Sequence, residues 1–296
     1  MYEPTQLLLQ LEQQAPVTAY CIYLFFGLSI GSFLNVVVHR LPIMLKQEWQ
    51  SEARLLLDVQ VPDKQESKRY NLVTPRSACP ACGQPISAIH NIPLISYLLL
   101  KGRCASCQAR IALRYPLLEL VTGVATVTVI SVLGPTMQGM LACLLTYSLI
   151  ALSQIDFETK LLPDDITLPI LWLGLIANMY DTFTDLQSAV IGAVLGYLAL
   201  WTVYQGFRVI TGKEGMGFGD FKLLALLGAW LGWQALTFII LMSSIIGTLV
   251  GVILILLGRD RNDAIPFGPY LAGAGWISLL WGDILLSGYL QVLNVS

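Results

Sequence analysis

Charge and histidine are both scarce in this chain. Asp, Glu, Lys and Arg make up 12% of its 296 residues, and His39 and His90 are the only histidines. With so little histidine and no GxSxG hinge, the pattern of a Ser-His-Asp hydrolase is missing. There is no Walker loop and no GxGxxG turn after a strand, which removes the commoner nucleotide-binding readings, and no nucleic-acid partner is expected. The first 17 residues carry no Lys or Arg, and no small-residue cleavage site follows the first apolar run, so that run is expected to stay as an anchor.

Apolar residues dominate instead, at 55%. Together with a mean hydropathy of +0.68 they place the chain among integral membrane proteins. Apolar runs fall near 18–38, 117–133, 138–155, 166–180, 187–207, 221–233, 235–257 and 266–290. Most approach the ~20 residues a spanning helix needs; the fourth and sixth are short, and tilt or a broken helix would make up the difference. The expected fold is an all-α polytopic membrane protein of about eight transmembrane helices, with a small zinc-binding cytoplasmic domain inserted after the first. If the runs alternate sides, all 17 basic residues share one face, and the positive-inside rule makes it cytoplasmic. The expected division is a periplasmic N-terminus (1–17), a first transmembrane helix (18–38), a cytoplasmic zinc-binding domain (39–116), a transmembrane catalytic core (117–290) and a periplasmic C-terminus (291–296). Eleven of the basic residues lie in 39–116, a loop expected to rest against anionic headgroups.

That loop carries CPACG at 79–83 and CASC at 104–107. Two CxxC pairs at this spacing read as a zinc site formed by Cys79, Cys82, Cys104 and Cys107, because each knuckle aims two thiolates at one ion. Two disulfides would use the same residues, but disulfides are rare in a reducing cytoplasm. Four thiolates leave no open position for water, so the metal is expected to be structural, stapling a domain too small to hold its own core. Cys21 and Cys143 fall inside apolar runs and are assigned no function.

Carboxylates in or beside spans are functional candidates by default. Glu119, Asp156 and Asp220 fall near the cytoplasmic boundary and Asp283 toward the opposite one. Each also has a plain structural reading: Asp220 after Gly219 suits an N-cap, Asp156 a polar turn, Glu119 a partner for Arg114, and Asp283 a helix cap. Two carboxylates on different helices at one level can share a proton. One then activates water while the other donates to a carbonyl oxygen, as in aspartic proteolysis. Asp156 and Asp220 are the expected pair. In GMGFGDFK, 215–222, the glycines are expected to bend the backbone beside Asp220 and let an extended peptide approach, though a plain flexible loop has the same composition. Asp220 begins a helix and Asp156 ends one, so the shared proton is expected mainly on Asp156, leaving Asp220 as the base.

The chain resembles the type IV prepilin peptidase family over nearly its whole length. The resemblance rests on GSFLNVVVHRLP at 31–42, NLVTPRSACPACG at 71–83, NIPLISYL at 91–98, the second CxxC, RYPLLEL at 114–120, IDFETKLLPDDITLP at 155–169, GMGFGDFKLLALLGAWLGW at 215–233 and IPFGPYLAGAGW at 265–276. It implies that Asp156 and Asp220 are the catalytic aspartates. It further implies cleavage of a basic leader from pilin and pseudopilin precursors, after a glycine, at the cytoplasmic face of a bacterial inner membrane. N-methylation of the new terminus with S-adenosylmethionine as methyl donor would follow. His90 stands where the family usually has an acidic residue. Other GxGD-type proteases carry a PAL motif near the C-terminus; this chain has FGP at 267–269. A transporter should show matched inverted repeats, which are absent, and a scaffold would need no acid pair.

Overall fold

The computed structural model describes residues 4–57, 70–87, 89–258, 260 and 265–292. Among them are ten α-helices: α1 (Pro4–Gln14), α2 (Pro16–Leu56), α3 (Ile95–Leu99), α4 (Arg114–Leu133), α5 (Met137–Thr159), α6 (Asp164–Asn178), α7 (Leu186–Thr211), α8 (Phe218–Leu231), α9 (Trp233–Leu256) and α10 (Gly268–Val292). Five of them, α2, α4, α5, α7 and α9, are long and apolar enough to cross a bilayer. The chain is therefore an all-α polytopic membrane protein. All eight apolar runs became helices. Two helices were not anticipated, α1 and α3, and α2 continues to Leu56, well past the run at 18–38.

The chain divides into two compact units, Met1–Pro135 and Thr136–Ser296. The fourth helix thus groups with the second instead of with the helices that follow it. The reason is a small-residue seam. Gly27 and Gly31, one helical turn apart on α2, face Thr122, Gly123 and Thr126 on α4; a Cβ at Gly27 would lie 2.3 Å from Thr126 Oγ1, and one at Gly31 2.7 Å from Glu119 Cα. Small residues let two helices approach where lipid supplies no hydrophobic drive, and packing does the work. Asn35 Nδ2 also donates to the Tyr115 carbonyl at 3.1 Å.

In the second unit α8 is the central element. From Phe221 to Trp230 every residue except Lys222 is buried, so this helix is apolar all round and enclosed by its neighbours. Its closest crossing is with α7, where Gly192 and Gly228 meet backbone to backbone: a Cβ on Gly228 would lie 2.2 Å from the Gly192 carbonyl oxygen. The far end is pinned by polar groups. Asn178, fully buried, donates to the Ala229 and Trp230 carbonyls at 2.9 and 3.0 Å. Trp230 Nε1 donates to the Ile170 carbonyl at 2.8 Å. Fixing that end fixes the register of the other, which carries Asp220.

Candidate active site and metal centre

Asp156 occupies the last turn of α5. The helix stops because Lys160 takes a left-handed conformation (φ 58°) and its N–H closes onto the Asp156 carbonyl at 2.8 Å. The Asp156 side chain, 5% exposed, turns toward α10, and its Oδ2 accepts the backbone N–H of Gly268 at 3.0 Å. Gly268 is the first residue of α10, so this carboxylate sits on a helix N-terminus supplied from far along the chain.

Asp220 is the third residue of α8 and 7% exposed. It is not the N-cap. Gly217 holds that position, and the Asp220 N–H donates to the Gly217 carbonyl at 3.3 Å as the helix begins. The two helix starts are joined through one side chain. Leu162 packs against Gly219 of α8 and Gly268 of α10; a Cβ on Gly219 would lie 2.7 Å from Leu162 Cβ, and one on Gly268 2.6 Å from Asp156 Oδ2. Asp156 and Asp220 are close enough for the charge of one to act on the other.

The stretch 212–217 leading into α8 is non-helical, as expected. Gly215, Gly217 and Gly219 do not take the left-handed backbone, which Gly212 adopts at φ 69°. At Gly215 and Gly219 the glycine supplies room, against the Phe207 ring and Leu162 respectively. The helix-end asymmetry is reduced: Asp156 ends α5 but also faces the N-terminus of α10, while Asp220 lies in the first turn of α8. At Asp156 the positive end of α10 offsets the negative end of α5, which weakens the helix-dipole bias of the shared proton toward Asp156.

The nearby lysine is committed elsewhere. Lys222 Nζ donates to both oxygens of Asp164 at 2.8 and 2.7 Å, tying α8 to the first residue of α6. Among the described residues neither Asp156 nor Asp220 forms an ion pair. Two buried, unpaired carboxylates from different helices can share one proton and so serve as acid and base at a single centre.

Glu119 belongs to the first unit. Its carboxylate accepts the Leu94 N–H at 2.9 Å. Arg114, its expected partner, lies with its guanidinium 4.8 Å from the Tyr115 ring centroid. The side chain of Asp283 lies outside the described residues.

The four loop cysteines converge. Their sulfurs all lie within 4.8 Å of one another, with Cys79 and Cys107 at 3.8 Å. A tetrahedral ion with metal–sulfur bonds of ~2.3 Å separates its ligands by about 3.8 Å, so the donor set fits a metal such as zinc. The two knuckles are the same hairpin repeated. In the first, Cys79 N–H bonds the Gln84 carbonyl, Gly83 N–H the Cys79 carbonyl and Ile86 N–H the Ser77 carbonyl; in the second, Cys104, Gln108 and Ile111 bond Ala109, Cys104 and Gly102 in the same way. Gly83 (φ 69°) and Gln108 (φ 58°) occupy the matching left-handed position. Backbone N–H groups of Cys107 and Ser106 aimed at the Cys104 sulfur hold its thiol down, to about 6.

Sequence reasoning passed over Gly268 and Leu162. The FGP tripeptide holding Gly268 was visible, but nothing local says that its N–H meets a carboxylate 112 residues away.

Comparison with known proteins adds a separate line of support. Residues 25–133 match the family described as the bacterial peptidase A24 N-terminal domain, and residues 143–252 the type IV leader peptidase family. A protein of Aeromonas salmonicida strain A449 named prepilin leader peptidase/N-methyltransferase is 53% identical over 97% of this chain and 99% of its own length. A protein of that name from Pseudomonas aeruginosa PAO1 is 53% identical over 93% of this chain and 95% of its own. One from Burkholderia pseudomallei 1026b is 46% identical over 88% and 86%. No solved structure gives a significant match.

Proposed function

Since the chain belongs to the type IV leader peptidase family, we propose that it removes the basic leader of type IV prepilins and type II secretion pseudopilins and then N-methylates the exposed terminus. The observation that carries the peptidase reading is the pair of buried aspartates, Asp156 on the N–H of Gly268 and Asp220 in the first turn of α8, with Leu162 packed against both helix starts. Asp156 and Asp220 act as the catalytic dyad. One carboxylate takes a proton from water as the oxygen attacks the scissile carbonyl, and the other donates to the carbonyl oxygen. Collapse of the tetrahedral species breaks the C–N bond, leaving a leader ending in a glycine carboxylate and a pilin with a free amine. Asp156 Oδ2 is engaged by the Gly268 N–H, which leaves Oδ1 of that residue for the chemistry.

S-adenosylmethionine would supply a methyl group carried on a sulfonium: the free amine takes it with loss of a proton as the S–CH3 bond breaks and the thioether S-adenosylhomocysteine leaves. Cys79, Cys82, Cys104 and Cys107 hold a structural Zn2+ that ties the two knuckles of the first unit together. The division into periplasmic ends (1–17 and 291–296), a first membrane helix (18–38), a cytoplasmic metal-bearing segment (39–116) and a membrane core (117–290) is supported by the distribution of basic residues. On this reading the protein sits in a bacterial inner membrane with its active site at the cytoplasmic face, the orientation that the positive-inside rule supports.

The test is purified protein in detergent with a prepilin and S-adenosylmethionine. A product lacking the leader and heavier by one methyl group is expected. Intact prepilin after exhaustive incubation refutes the reading.

A further inference from the structure

Helix α3 is built inside out for a water-facing element. Its polar residue, Ser96, is buried, with Oγ donating to the Ile89 carbonyl at 2.8 Å and accepting the Ile92 N–H at 3.0 Å. Its apolar residues Ile95, Leu98 and Leu99 are exposed, Leu98 by 73% and Leu99 by 76%. A short helix in water does the reverse, and contiguous exposed apolar surface marks contact with a partner or a membrane.

The position of α3 selects between these. Leu94 just before it has φ 56° and ψ −45°, the rare strained form of a γ-turn, closed by Ile95 N–H onto the Pro93 carbonyl. What holds Leu94 there is Glu119, whose Oε2 accepts its N–H at 2.9 Å. Glu119 is the sixth residue of α4, five residues past Arg114 and so about 7.5 Å along the helix from its start. The entry to α3 is therefore tethered level with the first turns of a spanning helix, where Leu117 is itself exposed along the lipid-facing side. Directly after α3 come Lys101 and Arg103, both exposed, spaced to meet phosphates at the rim of an apolar surface.

We infer that α3 is an in-plane anchor: Ile95, Leu98 and Leu99 enter the cytoplasmic leaflet, Lys101 and Arg103 meet anionic headgroups, and the metal-bearing knuckles are thereby held against the bilayer. Glu119 is a tether for this segment and not a third catalytic acid. The inference is independent of the enzymatic reading, since it needs no substrate.

The test places the photocrosslinker p-benzoylphenylalanine singly at positions 98, 99, 117 and 84 in protein reconstituted into phosphatidylethanolamine and phosphatidylglycerol vesicles. Position 117 reports a lipid-facing site, and position 84, an exposed polar residue of the first knuckle, an aqueous one. Lipid adducts at 98 and 99 within about twofold of the yield at 117, and ~tenfold above that at 84, are expected for interfacial residues. Adducts at 117 without adducts at 98 or 99 overturn the anchor, as does crosslinking of 98 or 99 to a second copy of the chain or to added prepilin. A second measurement uses the unmodified chain: trypsin cleavage after Lys101 should slow about fivefold when phosphatidylglycerol is added to phosphatidylcholine vesicles. Equal rates with and without the anionic lipid overturn the headgroup contact.

Discussion

Asp156 and Gly268, 112 residues apart in sequence, meet in a buried hydrogen bond of 3.0 Å from the first N–H of α10 to a carboxylate oxygen at the end of α5. No side chain other than hydrogen fits there. In Gly268→Ala the new Cβ would lie 2.6 Å from Asp156 Oδ2 and 3.3 Å from Leu162. The carboxylate should be displaced and prepilin cleavage should fall at least about tenfold, since misplacing a catalytic group by 1 Å costs on the order of 100-fold. Gly273→Ala, on the same helix with open space around it, is the control and should cleave like the unmodified enzyme. Equal cleavage rates for both variants would show that Gly268 does not position Asp156.

Removing either member of the dyad should be far worse. Asp156→Asn and Asp220→Asn are each expected to abolish cleavage while expression and membrane insertion persist. Asp164→Asn should lose much less, because Asp164 is half exposed and engaged by Lys222 at the surface, where such a pair contributes about 0–1 kcal/mol. Cleavage assays in detergent decide the matter. More than a few percent of the unmodified rate in both of the first two variants rules out the pair.

The backbone contact between α7 and α8 makes a stability prediction. A methyl on Gly228 meets the Gly192 carbonyl, which belongs to main chain and has nowhere to go, whereas a Cβ on Gly206 meets nothing within 4 Å. Gly228→Ala should cost about 1–3 kcal/mol, the usual range for overpacking, and Gly206→Ala close to nothing. Thermal inactivation midpoints in detergent compare the two.

Replacing any one of Cys79, Cys82, Cys104 or Cys107 by Ser should lower bound metal and loosen the first unit, because metal-binding free energy is folding free energy in a small domain. Methylation is expected to suffer more than cleavage, since both aspartates lie in the second unit. Metal analysis of purified protein with reduced cysteines gives the first half; a finding of no metal refutes it. The two activities assayed side by side give the second.

Much of this was legible in the sequence because membrane helices and cysteine knuckles are local signals. Apolar runs need only length, and CxxC needs only its own spacing, so all eight helical runs and the convergence of the four cysteines could be read directly. Long-range partners were not legible. The tethering of Leu94 by Glu119, the seat of Asp156 on Gly268 and the wedge of Leu162 between two helix starts each depend on segments brought together only by folding. Helix α3 escaped notice because it is five residues long, too short for any periodicity to register. The helix-end argument for the proton was incomplete for the same reason: it counted the helix that Asp156 ends and could not know of the one it faces.

Helix α8 is only 14 residues long and hands over at Gly232 to α9, a full-length span. Asp220 lies 11 residues from Leu231, at the other end of the helix, which is about 17 Å of the roughly 30 Å hydrocarbon thickness. Asp156, by contrast, lies 19 residues from Met137 along α5, about 28 Å. The two carboxylates are thus carried by helices of unequal reach, a full-length one and a short one. A thinner or thicker bilayer would load these two arms differently, so turnover should respond to the thickness of the surrounding bilayer as well as to the sequence of the substrate.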